Sequence, residues 1–135
     1  MTEKVNNVSD LILLDDIQKN INIIFYKIEE KFDIEKEEFL TLIMLWNNGS
    51  MSLKELDSYI DIKPYKRTRL YNNLVKKGWI NKVRPENDER TVIVEVNKDF
   101  EDKKDAIIDF ACEEIKNRKE HFEKQFESIV NTCNI

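Results

Sequence analysis

A group of basic and amide side chains is spaced so that all its members can contact one partner. They follow one another at steps of one, three or four residues and would project from one side of a helix. The group comprises Lys66, Arg69, Asn72, Asn73 and Lys76. Arginine and lysine suit phosphates and guanine edges, and asparagine suits adenine. No glutamate is interspersed for pairing at i to i+4, as on ordinary surface helices. The pattern favours contact with a nucleic acid.

The charge of the chain is divided unevenly. The 135 residues include 22 basic and 27 acidic ones, but residues 62–84 contain eight basic residues and none that is acidic. That segment carries +8, and the remaining 14 basic and 27 acidic residues carry −13. Clustered cations raise the local potential even on an acidic protein, which suits a polyanion held at one surface. A solvated lysine-rich helix is the structural alternative.

Helix signals place this segment in a helix-turn-helix. Ser52 and Glu55 have the spacing of a capping box, which begins a short helix that ends near Asp61. Pro64 suits the first position of the next helix, and Gly78 suits its left-handed end. Two short helices joined this tightly predict a helix-turn-helix.

The second of these helices lacks the usual side-chain cap. Lys63 stands where helices favour Ser, Thr, Asp or Asn. Unpaired N–H groups and the positive end of the helix dipole, next to Tyr65 and Lys66, suit a DNA phosphate as the missing cap. Capping by water is the alternative.

A β-hairpin is predicted after this helix. Residues 79–84 and 91–96 have the composition of strands, and Pro85, Asn87 and Asp88 between them are turn residues. A helix-turn-helix followed by such a hairpin is a winged helix. A hairpin that only completes the core is the alternative.

The predicted wing carries cations near its tip. Lys82, Arg84 and Arg90 are placed to contact the sugar-phosphate backbone or the minor groove. Asp88 and Glu89 would repel a phosphate that they faced, so we expect at least one of them to orient an arginine.

Long helices are predicted at both ends of the chain, in residues 1–32 and 98–135. Their apolar stripes recur at steps of three and four residues. A continuous last helix of ~45 Å would exceed a compact domain of this size, so its stripe needs a second subunit or, in a monomer, the first helix. We expect a homodimer formed through Leu11, Leu14, Ile17, Ile21, Ile115, Phe122, Phe126 and Ile129. A two-fold dimer would place two recognition helices about one DNA turn apart.

The expected fold is mainly α with a small β-hairpin. Only two Gly and two Pro occur, and 36% charged with 41% hydrophobic residues is typical of a soluble helical protein. We expect one domain over residues 1–135, with the helix-turn-helix and wing in residues 50–97. Another helix is predicted from an N-cap at Asp33 to Gly49. Its inward residues are expected to be Phe39, Leu42, Ile43 and Trp46.

Catalysis, metal binding and membrane insertion find little support. His121 has no Cys or second His at ligand spacing, and the two glycines cannot build a phosphate-binding loop. No signal peptide or membrane span is recognisable, so we expect a cytoplasmic protein without a cofactor. Cys112 and Cys133 are predicted to lie in one helix and to be plain thiols, with redox sensing by Cys112 as an open alternative.

Several segments resemble the staphylococcal accessory regulator (SarA) family, which is related to the MarR regulators. They are the wing run Asp88-Glu89-Arg90-Thr91-Val92, residues 63–69 (KPYKRTR) and residues 71–74 (YNNL). The resemblance covers nearly the whole chain and is strongest over residues 34–96. It implies a winged-helix dimer that binds AT-rich promoter DNA and adjusts transcription of toxin, protease and surface-protein genes.

The resemblance also assigns roles by position. It implies a recognition helix over residues 64–77 with Tyr65 at its start, and a wing motif that includes Arg84, Asp88, Glu89 and Arg90. The candidate recognition-helix residues are Lys63, Tyr65, Lys66, Arg67, Arg69, Asn72, Asn73 and Lys76, and the wing candidates are Lys82, Arg84, Asp88, Glu89 and Arg90.

The sequence is compatible with two other functions. The basic face could dock an acidic protein, as in an interaction module or an anti-regulator. A MarR-type repressor could also sense a ligand or an oxidant, although the sequence indicates no small-molecule ligand.

Overall fold

The computed structural model describes residues 8–86 and 91–133. The described helices are α1 (Leu13–Phe32), α2 (Lys36–Asn48), α3 (Leu53–Tyr59), α4 (Pro64–Lys77), α5 (Glu101–Asn117) and α6 (Lys119–Cys133). The described strands are β1 (Met51–Ser52), β2 (Ile80–Val83) and β3 (Ile93–Val96). Short 3₁₀ helices at Val8–Ile12 and Lys98–Phe100 precede α1 and α5.

The chain divides into two compact units. The central unit is Asp33–Asp105, and the terminal unit combines Met1–Phe32 with Ala106–Ile135. The central unit therefore holds α2, α3, α4 and all three strands.

The sheet of the central unit is antiparallel, in the order β1-β3-β2. Ile80 of β2 pairs with Val96, and Met51 of β1 pairs with Val94. Met51, Ile80 and Val94 are buried, so one face of this small sheet closes the core. The two-residue β1 lies between α2 and α3 and pairs only with β3 among the described strands.

The two short helices begin and end where the sequence predicts. The Ser52 hydroxyl accepts from the Glu55 amide at 3.1 Å, and the Glu55 carboxylate accepts from the Ser52 amide at 3.2 Å. Pro64 opens α4, and Gly78 ends it at φ 88°, in the left-handed region. A Cβ at Gly78 would lie 2.8 Å from the Phe100 ring, so both backbone conformation and space favour glycine there. The predicted helix-turn-helix is confirmed.

The start of α2 differs from the prediction. Its N-cap is Glu35, whereas Asp33 lies two residues earlier with a φ of 58°. An N-cap residue has an extended backbone, which excludes Asp33 from that role. The Glu38 carboxylate accepts from the Glu35 amide at 2.8 Å and sets the boundary. Ile43, predicted to face inward, is 37% exposed, whereas Phe39 and Leu42 are buried.

The terminal unit is built on the packing of α1 against α6. Ile24 and Ile28 of α1 are buried, as are Ile107 of α5 and Ile129 of α6. Two long-range hydrogen bonds join the ends of the unit. The Gln125 amide donates to Asp16 at 3.3 Å, and the Thr132 hydroxyl donates to Asp10 at 3.4 Å.

The prediction of a continuous C-terminal helix is wrong, because α5 and α6 are separate helices with Arg118 between them. The Arg118 amide donates to the Ile115 carbonyl, three residues back, at 3.1 Å. The Arg118 side chain instead donates to the Glu114 carbonyl at 3.0 Å, taking the acceptor that a helical amide would use. Cys112 and Cys133 therefore lie in different helices, and both are exposed thiols.

These elements form a winged helix-turn-helix with long N- and C-terminal helices, in agreement with the predicted fold class. Within residues 8–86 and 91–133, no helix is long and apolar enough to cross a membrane. The same residues contain no cluster of His, Cys, Asp and Glu that could hold a metal ion.

Candidate nucleic-acid interface

Helix α4 presents opposite chemistry on its two sides. Leu70, Tyr71 and Leu74 are buried in the core of the central unit. The other side carries the basic face, which we define as Lys66, Arg69, Asn72, Asn73 and Lys76; all are exposed except the half-buried Asn73. Because Leu70 and Leu74 face the core, the side chains of the basic face all point toward solvent.

Four cations on and beside this face have no carboxylate partner in the described part of the chain. Lys63, Lys66, Arg69 and Lys76 form no ion pair with any residue that the structure describes. Tyr65, at the start of the helix, is 74% exposed, and the Lys66 ammonium lies 5.9 Å from its ring centre. Unneutralised cations beside an exposed aromatic ring can bind phosphate groups and contact sugars or bases.

The N-terminus of α4 has the open cap that the sequence predicts. Lys63 makes no side-chain cap hydrogen bond, and Pro64 has no N–H to satisfy. The Lys66 amide donates to the Lys63 carbonyl at 2.8 Å, so fewer amides remain for a phosphate than the sequence suggested. The Lys63 ammonium and the helix dipole are the main attractions for an anion at this end.

Arg67 differs from the other candidate cations. Its guanidinium lies 3.4 Å from Oδ2 of Asp57 in α3, and its side chain is only 34% exposed. The hydroxyl of Tyr71, one turn along α4, donates to Oδ1 of the same carboxylate at 2.9 Å. Burial, and then the bond to Asp57, raise the pKa of Tyr71 well above its usual value, so the hydroxyl stays protonated and donating.

Lys77, at the end of α4, is also engaged within the protein. Its ammonium donates to both oxygens of Glu38, at 2.9 and 3.2 Å, and to the Asp33 carbonyl at 2.7 Å. The cation therefore fixes the end of α4 against the start of α2. Residues 62–84, which contain no acidic residue, thus include cations that pair within the protein and cations that face solvent.

The first strand of the hairpin contacts the basic face directly. Lys82 of β2 donates to Oδ1 of Asn72 at 2.8 Å, which joins a wing candidate to a helix candidate. Arg84 is exposed just beyond β2. Asp88, Glu89 and Arg90 lie outside the described residues, and so does the expectation that one of these carboxylates orients an arginine.

A cleft borders the basic face on the side of α2. It measures about 240 Å³ and is lined by Glu35, Glu37, Ile62, Lys66, Arg69, Leu70 and Asn73. The two glutamates place negative charge at the edge of the cationic surface. A polyanion would be repelled there, which confines its contact to the outer side of α4.

The terminal unit carries an exposed apolar groove of about 570 Å³. Its lining residues are Ile17, Ile21, Phe122, Glu123, Phe126, Glu127 and Val130. Four candidate dimerisation residues meet in this groove, and Phe126 is 61% exposed. Leu11, Leu14 and Ile115 are also exposed, whereas Ile129 is 7% exposed and packs within its own unit.

Sequence reasoning missed Asp57 and Glu38. Asp57 contacts residues ten and fourteen positions away on another helix, and no local pattern indicates such a pair. Glu38 did leave a signal. It shares a helical face with the buried Leu42 and Leu45, so a carboxylate stood at a core position and needed a partner.

Comparison with known proteins identifies the family. The profile of the family described as transcriptional regulator SarA/Rot matches residues 23–107. The HTH-type transcriptional regulator rot of Staphylococcus aureus (strain MRSA252) is 42% identical over 130 residues, which cover 95% of this chain and 78% of that protein. These proteins are transcriptional regulators and not enzymes, in agreement with the prediction.

Solved structures agree on the fold. The overoxidized AbfR bound to DNA has a TM-score of 0.67 at 15% identity and covers 98% of this chain and 99% of its own; AbfR comes from Staphylococcus epidermidis. A MarR-like transcription regulator from Bacillus cereus has a TM-score of 0.71 at 20% identity, with 93% of each chain covered. From the matched residues and the 42% identity, this chain belongs to the SarA/Rot family of transcriptional regulators.

Proposed function

We propose that this regulator binds double-stranded promoter DNA as a homodimer, with the basic face of α4 in the major groove and the hairpin along the adjacent backbone. The observation that carries the proposal is a set of cations around the exposed Asn72 that pair with no carboxylate of residues 8–86 or 91–133, namely Lys63, Lys66, Arg69 and Lys76. Phosphate contacts by such cations supply most of the affinity, and amides add contacts to base edges.

The basic residues of α4 have two different roles, and this difference supports DNA as the partner. Arg67 and Lys77 pair with carboxylates of the central unit and fix α4 in place. The cations of the basic face remain exposed to solvent. An overoxidized AbfR, which has the same fold, was crystallised bound to DNA. The arrangement fits a rigid helix inserted into a groove.

The groove of the terminal unit supports the homodimer. Ile21, Phe126 and Val130 are 40 to 61% exposed around it, and an exposed apolar surface of this kind marks an interaction site. A second copy would cover both grooves at once around a two-fold axis. Pairing would also bring two copies of α4 to one operator.

The proposed targets are AT-rich promoters of toxin, protease and surface-protein genes, which the resemblance to the SarA family implies. Chromatin immunoprecipitation with sequencing tests this directly. We expect enrichment upstream of such genes at AT-rich sites. Enrichment that is independent of base composition would contradict the proposed targets.

Fluorescence anisotropy with a labelled AT-rich duplex tests the binding itself. A dimer offers two copies of these four cations, about eight in all, so the slope of log K against log salt should lie between about −4 and −7 if half to all of them contact phosphates. A duplex of mixed sequence and an acidic protein of similar charge are the comparison ligands. Absence of a complex with either duplex at low salt would refute the proposal, and tighter binding to the acidic protein would favour an interaction module.

A further inference from the structure

We propose that Asp57 is a positioning residue for DNA recognition, and that Arg67 acts through Asp57 and does not contact DNA. The inference rests on the proposed function, because it concerns the geometry in which α4 meets the duplex. It reassigns Arg67, which the sequence placed among the DNA-binding residues.

One carboxylate holds two consecutive turns of α4. Oδ1 of Asp57 accepts from the Tyr71 hydroxyl at 2.9 Å, and Oδ2 lies 3.4 Å from Nη1 of Arg67. Arg67 and Tyr71 are four residues apart, so they lie on the same face of the helix. Asp57 thus acts as a two-point clamp between α3 and α4.

The clamp is largely withdrawn from solvent. Tyr71 is 2% exposed, and the side chains of Asp57 and Arg67 are 28% and 34% exposed. Nε of Arg67 is buried and makes no hydrogen bond within the described part of the chain, so this edge of the guanidinium faces the protein. Lys66 and Arg69 on the basic face are exposed and pair with no carboxylate among the residues that the structure describes.

The small size of α3 explains why a clamp is needed. Leu56 is the residue buried within this seven-residue helix, and Ile60 is buried at its C-cap, so apolar contacts along one side leave rotation about the helix axis weakly constrained. Asp57 follows Leu56 directly and supplies a directional contact. Because binding side chains must be held to within about 0.5 Å of their productive positions, loosening this contact should weaken recognition by the basic face.

A double-mutant cycle on the full-length protein tests the inference. Asp57→Asn and Arg67→Met should each weaken binding to an AT-rich duplex about fivefold, the loss expected for one hydrogen bond or partly exposed ion pair. The double variant should bind within about twofold of either single variant, because both changes remove the same interaction. Lys116→Met, which removes an exposed cation of the terminal unit, is the matched control and should leave binding unchanged with or without Asp57→Asn.

Tyr71→Phe gives an independent measurement. Tyr71 is too buried to contact DNA, so any loss of affinity in this variant acts through Asp57. We expect the AT-rich duplex to be bound about threefold more weakly, with less preference over a mixed duplex, at a temperature well below unfolding. A lower melting temperature alone would not change that preference.

Three outcomes would overturn the inference. Arg67→Met could cost as much affinity in the Asp57→Asn background as in the wild type, which would make Arg67 a DNA contact. Asp57→Asn could strengthen binding, which would make Asp57 a carboxylate that masks Arg67. Tyr71→Phe could leave the affinity and the preference for the AT-rich duplex unchanged. This result would count against the inference even if Asp57→Asn failed to fold. Each of these outcomes requires that the wild-type protein binds the duplex. If the wild-type protein did not bind the duplex, the proposed function itself would be refuted.

Discussion

The ammonium of Lys77 lies 2.9 Å from Oε1 of Glu38, a carboxylate that is completely buried. The same oxygen accepts from the Glu35 amide at 2.8 Å, which makes Glu38 both the cap of α2 and the anchor of α4. A buried carboxylate is tolerated when it is paired and hydrogen-bonded. The outward basic face of α4 therefore depends on an inward ion pair.

Lys77→Met should destabilise the protein by about 3 kcal/mol, because it leaves Glu38 buried without its cation. Urea unfolding followed by circular dichroism measures the free energy. Lys76→Met is the matched control, since Lys76 is exposed and unpaired among the described residues, and should change stability by less than about 0.5 kcal/mol. Equal stability of the two variants would show that the ion pair does not anchor α4.

Lys63→Ser should separate stability from DNA binding at the start of α4. Serine is a favoured N-cap, so the variant should gain about 1 kcal/mol of stability while losing the cation that attracts a phosphate. Lys63→Gln removes the charge without adding a good cap. We expect both variants to bind the duplex several-fold more weakly, by anisotropy. Unchanged affinity in Lys63→Ser would exclude a phosphate at this helix end.

Phe126→Glu should disrupt the proposed dimer, because a carboxylate would be buried in the apolar groove of the partner subunit. Sedimentation velocity at micromolar concentration should give a dimer for the wild type and a monomer for the variant. Tyr26→Glu is the control, since Tyr26 is 62% exposed on α1 and does not line the groove. A dimeric Phe126→Glu protein would place the interface elsewhere.

Glu114 should give part of the stability of the protein a dependence on acid pH. The hydrogen bond from Arg118, and then the charge of Lys27, lower the pKa of Glu114. Its contribution is therefore complete above the pKa of the unfolded chain and is lost as the pH falls through the folded-state pKa. Glu114→Gln should cost about 1 kcal/mol at pH 7 and much less at pH 3.

Urea unfolding at the two pH values checks this expectation. Glu113→Gln removes the same charge from an exposed position of the same helix and serves as the control. If Glu114→Gln cost the same at pH 3 as at pH 7, the interaction with Arg118 would not depend on the charge of the carboxylate.

Local signals predicted the helix-turn-helix well. The capping box at Ser52 and Glu55, Pro64 at the start of α4 and Gly78 at its end each act within four residues, so the sequence alone shows them. The outward basic face followed from the same helical period, because Leu70 and Leu74 fixed which side of α4 is buried.

Two kinds of feature could not be predicted in this way: those that depend on distant contacts, and those in which a side chain competes with or caps the backbone. Glu38 and Lys77 are 39 residues apart, and their pairing depends on how α2 packs against α4. The break at Arg118 has no proline or glycine to mark it, since a side chain takes the place of a backbone donor. The observed start of α2 differs from the predicted one because the helix is capped at Glu35 by Glu38 and not by Asp33.

Binding of duplex DNA by the exposed cations of α4 is tested most directly by the salt dependence of the Lys66→Ala/Arg69→Ala variant. A dimer of this variant lacks four phosphate contacts, so its slope of log K against log salt should be shallower by about 3 to 4, with at least a tenfold loss of affinity at low salt. Lys19→Ala/Lys116→Ala, which removes equal charge from exposed sites of the terminal unit, should retain wild-type binding. A folded Lys66→Ala/Arg69→Ala protein with the affinity and slope of the wild type would contradict this mode of binding.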